Sequence, residues 1–264
     1  MKDKVLAVLK NTDGYVSGQE LCEELGVSRT AVWKAVNALK EAGYEIESVR
    51  NRGYMLKSCP DVLLSEEIKS VLDTKWFAKK ILYFDKIDST NSEIKRQAEQ
   101  GASEGTLAIA EYQSAGRGRR GRSWDSPAGS GIWMSFLIKP DIRPEHAPMI
   151  TLLAAMACAS AVREVTGLEA MIKWPNDIVI GGRKITGILT EMSTEMETIS
   201  YVVVGIGINA NMTEFPEDIS RTATSLAIEC KKPVSRSLIV ASFGHYFEQY
   251  YEIFINDLNM SSLK

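Results

Sequence analysis

The densest concentration of chemistry in the chain is the run Gly116-Arg117-Gly118-Arg119-Arg120-Gly121-Arg122-Ser123-Trp124, in which four arginines fall within seven residues. Guanidinium groups offer forked donors that match carboxylates and phosphates. The interleaved glycines allow positive φ and a close approach of the backbone to an anion. No Gly-Lys-Ser/Thr follows, so the run is not a Walker A loop. On composition alone it also fits a solvated basic loop or an RNA-binding arginine-glycine segment.

Three other segments narrow the chemistry: Asp88-Ser89-Thr90-Asn91, Lys173-Trp174-Pro175-Asn176-Asp177 and Gly205-Ile206-Gly207-Ile208-Asn209. Each sets polar side chains at the end of an apolar run. Taken singly, Ser89 or Thr90 reads as a helix cap and Asn209 as a strand stop. Lys173 is harder to explain that way, because a lysine buried at a strand end needs an anionic partner. The two histidines, His146 and His245, lie far from these segments and read as structural.

The elements that must hold these segments are legible as apolar runs. Strands are expected at 81–84, 107–112, 132–138, 171–174, 178–180, 185–189 and 201–208, with Gly181-Gly182 closing a hairpin. Helices are expected at 66–72, 92–100, 146–166 and 237–258. Strands follow strands more often than they alternate with helices, so the class is α+β with a mostly antiparallel sheet. The uncharged stretch between His146 and Arg163 falls short of a membrane span and reads as a buried helix.

The first sixty residues have another pattern. Val5, Leu6, Val8 and Leu9 mark one helix, Leu21 and Leu25 a second ended by Gly26, and Val32, Val36 and Leu39 a third begun by Ser28. From Gly43 the period changes to alternation, with Asn51-Arg52-Gly53 as the tip of a small hairpin. This is a winged helix-turn-helix. Nine Lys/Arg against eight Asp/Glu give residues 1–60 little net charge, but the third helix holds Arg29, Lys34 and Lys40 with no carboxylate, and the wing adds Arg50 and Arg52. Ser28, Arg29, Thr30, Trp33, Lys34, Asn37, Arg50 and Arg52 are the candidate DNA contacts; a protein-docking module is the competing reading. Pro60 ends the pattern, so the expected domains are 1–60 and 61–264.

With 264 residues, 45% hydrophobic and 25% charged, the chain is long enough for two globular domains. A net charge of −3 leaves any nucleic-acid contact to a local patch. The four cysteines have no metal-site or disulfide-framework spacing, which fits a reducing cytoplasm, and the N-terminus does not read as a secretory signal.

Together, the arginine-glycine loop ending in Trp124, the three polar segments and the winged helix resemble the biotin protein ligases, specifically the bifunctional ligase and biotin operon repressor type, over about residues 1–255. That resemblance implies a catalytic domain like that of the class II aminoacyl-tRNA synthetases. It implies substrates biotin and ATP with Mg2+, a biotinyl-5'-AMP intermediate, and transfer to a lysine of a biotin carboxyl carrier domain such as that of acetyl-CoA carboxylase. Operator DNA and a ligand-promoted homodimer are the other implied partners, with no membrane. By the same resemblance Ser89, Thr90, Asn91 and Gln113 hold the biotin head group, and Arg117, Gly118 and Arg119 close over its chain and carboxylate. Lys173 would face the reacting carboxylate and the α-phosphate. Gly116, Arg122, Trp124, Asn176, Lys184 and Asn209 would lie along the nucleotide, with Asp177 near magnesium or the incoming lysine and no fixed metal site. Family members usually continue into a small SH3-like domain, which this chain is expected to lack. The alternatives are a lipoate-type ligase and a biotin-sensing transcription factor without catalysis. Joining a carboxylate to a phosphoryl group brings two anions together, so fixed cations matter more than a nucleophile.

Overall fold

The computed structural model describes residues 1–195 and 198–257. The chain divides into two compact units, Met1–Val71 and Leu72–Lys264.

In the first unit, helices α1 (Lys2–Asn11), α2 (Gly18–Leu25) and α3 (Arg29–Glu41) precede a hairpin of β1 (Glu45–Val49) and β2 (Gly53–Ser58). The apolar stripes meet as expected, with Val5, Leu6, Leu21, Val32, Val36, Leu39 and Ile46 in one core. Helix α2 starts on a reciprocal capping box: Glu20 N–H donates to Ser17 Oγ (3.1 Å) and Ser17 N–H to Glu20 Oε2 (2.7 Å). Gly26 at φ 64° ends it in the left-handed conformation, and Ser28 caps α3 through Ala31 N–H (3.3 Å).

The boundary differs from the one expected at Pro60. Helix α4 (Ser65–Val71) belongs to the first unit and packs on α1. Its Ile68 is fully buried, and its Glu67 carboxylate pairs with Lys10 and accepts from Tyr44 Oη (2.6 Å). A buried acid stays where its cation and donor are, and both lie in the winged unit.

The second unit is built on a seven-stranded sheet: β3 (Ile81–Ile87), β4 (Leu107–Gln113), β5 (Gly131–Ile138), β6 (Met171–Lys173), β7 (Asp177–Ile180), β8 (Arg183–Glu195) and β9 (Thr198–Asn209). The spatial order is β3-β4-β5-β9-β8-β7-β6. All neighbours are antiparallel except β3 and β4. That parallel pair needs a crossover, supplied by α5 (Thr90–Glu99). The hairpin β7-β8 turns at Gly181 and Gly182, both with positive φ.

Every residue of β5 is buried, because helices cover both faces of the sheet. On one face Ile94 of α5 packs with Ala108, Leu137 and Val203. On the other, Phe136 stacks edge-on against Phe243 and Phe247 of α8 (Arg236–Asp257). The expected end of that helix, Leu258, lies outside the described residues. Helix α6 (Ala147–Thr166) packs on α8. With the preceding turn it is long and apolar enough by length and composition to cross a membrane, longer than the sequence reading allowed, and half of that apolar window is buried within this unit. A short helix, α7 (Leu226–Cys230), had no apolar period to announce it.

Candidate active site

Ser89, Thr90 and Asn91, at the junction of β3 and α5, meet Gln113 at the end of β4 and the loop 116–124 around a narrow cavity of about 50 Å³. All three junction residues are buried. Ser89 occupies the N-cap position without capping. Thr90 N–H donates to Gln113 Oε1 (2.8 Å), and Thr90 Oγ1 lies 3.1 Å from that oxygen and 2.7 Å from Ser135 Oγ. Gln113 Nε2 donates to Ser126 Oγ (2.9 Å), and Ser135 Oγ to Asn91 Oδ1 (2.5 Å). Asp88, just before the junction, is held down to about 2 by hydrogen bonds from Arg96, and it accepts from Ser89 N–H (2.7 Å). The polar floor is thus locked from both sides.

The arginine-glycine segment is a short hairpin. Trp124 N–H donates to Gly116 O (2.9 Å) and Gly118 N–H to Arg122 O (2.7 Å), with Arg120 and Gly121 at positive φ in the tip. A Cβ on Gly116 would sit 2.3 Å from Trp124 O, so only glycine fits there. Arg117, Gly118 and Arg119 face the narrow cavity. Arg119 Nη1 donates to Asn176 Oδ1 (2.9 Å), whose Nδ2 donates to Ile188 O (2.9 Å).

Strand glycines shape the cavity's remaining wall. Gly187 of β8 pairs with Gly207 of β9, and the Trp124 indole lies on both: an added Cβ would come within 2.6 and 2.5 Å of the ring. At Gly205 a Cβ would fall 1.9 Å from Asn91 Oδ1. The indole meets Trp133 edge-on (6.3 Å between centroids) and carries Lys184 Nζ 5.1 Å from its centre.

A larger cavity of about 450 Å³ adjoins this one. Arg122, Trp124, Lys173, Asp177, Lys184 and Asn209 line it. Asn209 Nδ2 donates to Thr224 O (3.1 Å), and Lys184 Nζ pairs with Asp177 (2.7 Å). Lys184 and Trp124 line both cavities. Among the described residues no three His, Cys, Asp or Glu side chains gather as a metal site; a magnesium ion brought in with nucleotide phosphates would have Asp177 as one carboxylate at hand in the larger cavity.

Lys173 is not buried as its strand-end position suggested: it is exposed at the end of the edge strand β6 and lines the larger cavity, not the narrow one. Its exposure removes the desolvation cost from which an anionic partner was argued. Sequence reasoning also missed Ser126, Ser135, Gly187 and Glu191; the bare glycines of β8 and β9 were the available signal, since glycine inside a strand marks close approach of another group.

In the winged unit, Ser28, Arg29, Thr30, Trp33 and Lys34 are exposed along the outer side of α3, and Asn37 is half-buried. Trp33 is 56% exposed despite its size. Arg29 donates to Gln19 (2.9 Å), Arg50 is exposed on the wing, and Arg52 stacks on Tyr15 (4.5 Å). Arg29 and Arg50 line a common cleft between helix and wing.

Residues 83–209 match the biotin/lipoate A/B protein ligase family and residues 2–55 an HTH domain. The bifunctional ligase/repressor BirA of Bacillus subtilis (strain 168) is 40% identical over 95% of this chain and 78% of its own length. Its counterpart in Bacillus spizizenii is 42% identical over 90% of this chain and 74% of its own length. Among solved structures, the biotin protein ligase of Aquifex aeolicus in complex with biotin and ATP is similar at a TM-score of 0.59 and 31% identity, covering 68% of this chain and 73% of that one. With an HTH domain joined to a ligase core, this chain belongs to the bifunctional ligase/repressor family of biotin protein ligases.

Proposed function

We propose that the narrow cavity takes biotin and the larger one ATP, and that the chain makes biotinyl-5'-AMP and then biotinylates one lysine of a biotin carboxyl carrier domain such as that of acetyl-CoA carboxylase. The observation that carries this reading is the shared pair Lys184 and Trp124, which line both cavities. Two substrates that must react with each other need a common wall.

In the first step a biotin carboxylate oxygen attacks the α-phosphorus, and the bond to the bridging oxygen breaks as pyrophosphate leaves. The residues Ser89, Thr90, Asn91 and Gln113 orient the ring of biotin. Lys184, with Arg117 and Arg119, meets the carboxylate and the α-phosphate, so that two anions approach without mutual repulsion. Trp124 and Asn209 flank the nucleotide, and magnesium, with Asp177 at hand to hold it, would supply further charge neutralisation. In the second step a carrier lysine amine attacks the acyl carbon, the bond to the phosphate oxygen breaks, and AMP leaves. Arg119, held by Asn176 across the cavity mouth, keeps water and the intermediate apart until the carrier arrives.

The winged unit binds operator DNA through α3 and the wing. A single module of this size buries only about 600–1,000 Å² on DNA, so a dimer promoted by biotinyl-5'-AMP, reading two half-sites, is the form that represses. The setting is the cytoplasm, consistent with four free cysteines among the described residues. The test is incubation with biotin, ATP, Mg2+ and an isolated carrier domain, read by mass spectrometry of the carrier. One added biotinyl group on one lysine is expected; an unmodified carrier with intact ATP would refute the reading. Sedimentation without ligand, with biotin, and with biotin plus ATP reads the dimer; no change among the three would remove it.

A further inference from the structure

Behind the polar floor of the narrow cavity lies a charged pair that none of the roles above uses. Glu191 of β8 accepts from Asn91 Nδ2 (2.8 Å) through one oxygen, and its other oxygen meets Lys95 Nζ of α5 (2.6 Å). Leu189 O lies 3.4 Å from the same Asn91 nitrogen. Burial alone would raise the Glu191 pKa, but the hydrogen bonds from Asn91 and Lys95 outweigh it and hold the group below the usual carboxylate range. It is therefore an anion, and an ionised carboxylate only accepts.

That constraint runs through the floor. A side-chain amide has a donor end and an acceptor end of nearly the same shape. With Asn91 Nδ2 committed to Glu191, its Oδ1 must face inward, where Ser135 donates to it. Ser135, having spent its one proton on Asn91, can only accept toward Thr90, 2.7 Å away, so the single Thr90 hydroxyl proton is shared between Ser135 and Gln113 Oε1 (3.1 Å). Gln113 Oε1 already takes Thr90 N–H, while its Nε2 is committed to Ser126. Reversing Asn91 would reverse each hydroxyl in turn. Asn91 and Thr90 both line the narrow cavity, so the polarity set by Glu191 extends to the wall that a ring carrying N–H donors would meet.

We propose that Glu191, braced by Lys95, is a positioning residue that fixes the donor-acceptor polarity of this floor and thereby its preference for a cyclic urea. The inference rests on the reading of the cavity as the biotin site. An uncharged carboxamide at position 191 can pair with either end of Asn91, so the polarity is no longer imposed.

The test measures binding of biotin and of its cyclic carbamate analogue, in which a ring oxygen replaces one N–H, to the full chain by calorimetry. For Glu191→Gln the ratio of the two affinities is expected to fall about tenfold with the melting temperature retained, and biotin affinity to fall by a similar factor. A ratio is insensitive to any fraction of unfolded protein. Asn91→Asp alone places two carboxylates together and is expected to bind neither ligand well. The double variant Asn91→Asp with Glu191→Gln lets the new amide donate to the new acid, leaves an acceptor facing Ser135, and is expected to recover most of the lost discrimination. A merely structural role for Glu191 predicts no such recovery. An unchanged ratio in Glu191→Gln, or a double variant no better than Asn91→Asp, would overturn the inference while leaving biotin binding by the wild type intact. Failure of the wild type to bind biotin would overturn the functional reading and this inference with it.

Discussion

The indole of Trp124 rests on the bare backbone of Gly207, so close that a Cβ on that glycine would lie 2.5 Å from the ring. Two residues earlier, Gly205 makes the same kind of room for Asn91. Two glycines on one face of β9 therefore serve different cavities, since Asn91 lies in the narrow one and Trp124 borders the larger one as well. Gly205→Ala is expected to lower biotin affinity at least tenfold, whereas Gly207→Ala is expected to raise the KM for ATP by a similar factor and affect biotin less. Separate titrations with biotin and with ATP check this; equal losses on both ligands in both variants would contradict it.

The strand runs and the three helices of the winged unit were legible because their apolar periods are long and their caps explicit, as at Ser17, Gly26 and Ser28. The unit to which α4 belongs was not, because it depends on Glu67 meeting Lys10 and Tyr44, partners distant in sequence. The parallel pairing of β3 with β4 is equally non-local. At the site, the loop 116–124 and the segment 88–91 were legible as dense polar runs. Lys173 and Lys184 look alike as strand-end lysines, and only the register, which sets Gly187 opposite Gly207 and brings Lys184 over Trp124, separates them.

Arg119 and Asn176 both line the narrow cavity and are joined by a 2.9 Å hydrogen bond, which we propose closes the cavity over its ligand. Arg119→Gly removes that bond and adds backbone freedom. The expected result is a higher yield of free biotinyl-5'-AMP, with labelling of bystander lysines in an unrelated protein. Quantifying released adenylate by chromatography checks this; no rise over wild type would show that Arg119 is not the closure.

Arg50 and Lys34 are exposed cations on the side proposed to face DNA, and Trp33 is a large exposed apolar group near them in the sequence of α3. Arg50→Ala or Lys34→Ala should lower the slope of log affinity against log salt by about 1 each, as loss of one phosphate contact does. Trp33→Ala should leave the slope alone and change the sequences recovered from a randomised duplex pool. Salt titrations and selection with each variant separate the two effects.

Asp88 is held at about 2 by the guanidinium of Arg96, against an ordinary value of 3.8. A carboxylate depressed in the folded state contributes stability that is fully present above its ordinary pKa and is lost as pH falls toward 2. The pair is half-exposed, so solvent screening limits the contribution to about 0.2–1 kcal/mol. Urea unfolding at pH 6 and pH 3 should show a smaller acid-induced loss in Asp88→Asn than in wild type.

The central proposal, that Lys184 more than Lys173 stands where the carboxylate meets the α-phosphate, is tested most directly by biotin-dependent pyrophosphate release from ATP in wild type, Lys184→Ala and Lys173→Ala. A single fixed donor of this kind is typically worth about 10²- to 10³-fold in rate. Lys184→Ala is expected to lose that much in kcat while remaining folded, and Lys173→Ala to lose less than tenfold. Comparable rates for Lys184→Ala and wild type, or a greater loss for Lys173→Ala than for Lys184→Ala, would contradict the account.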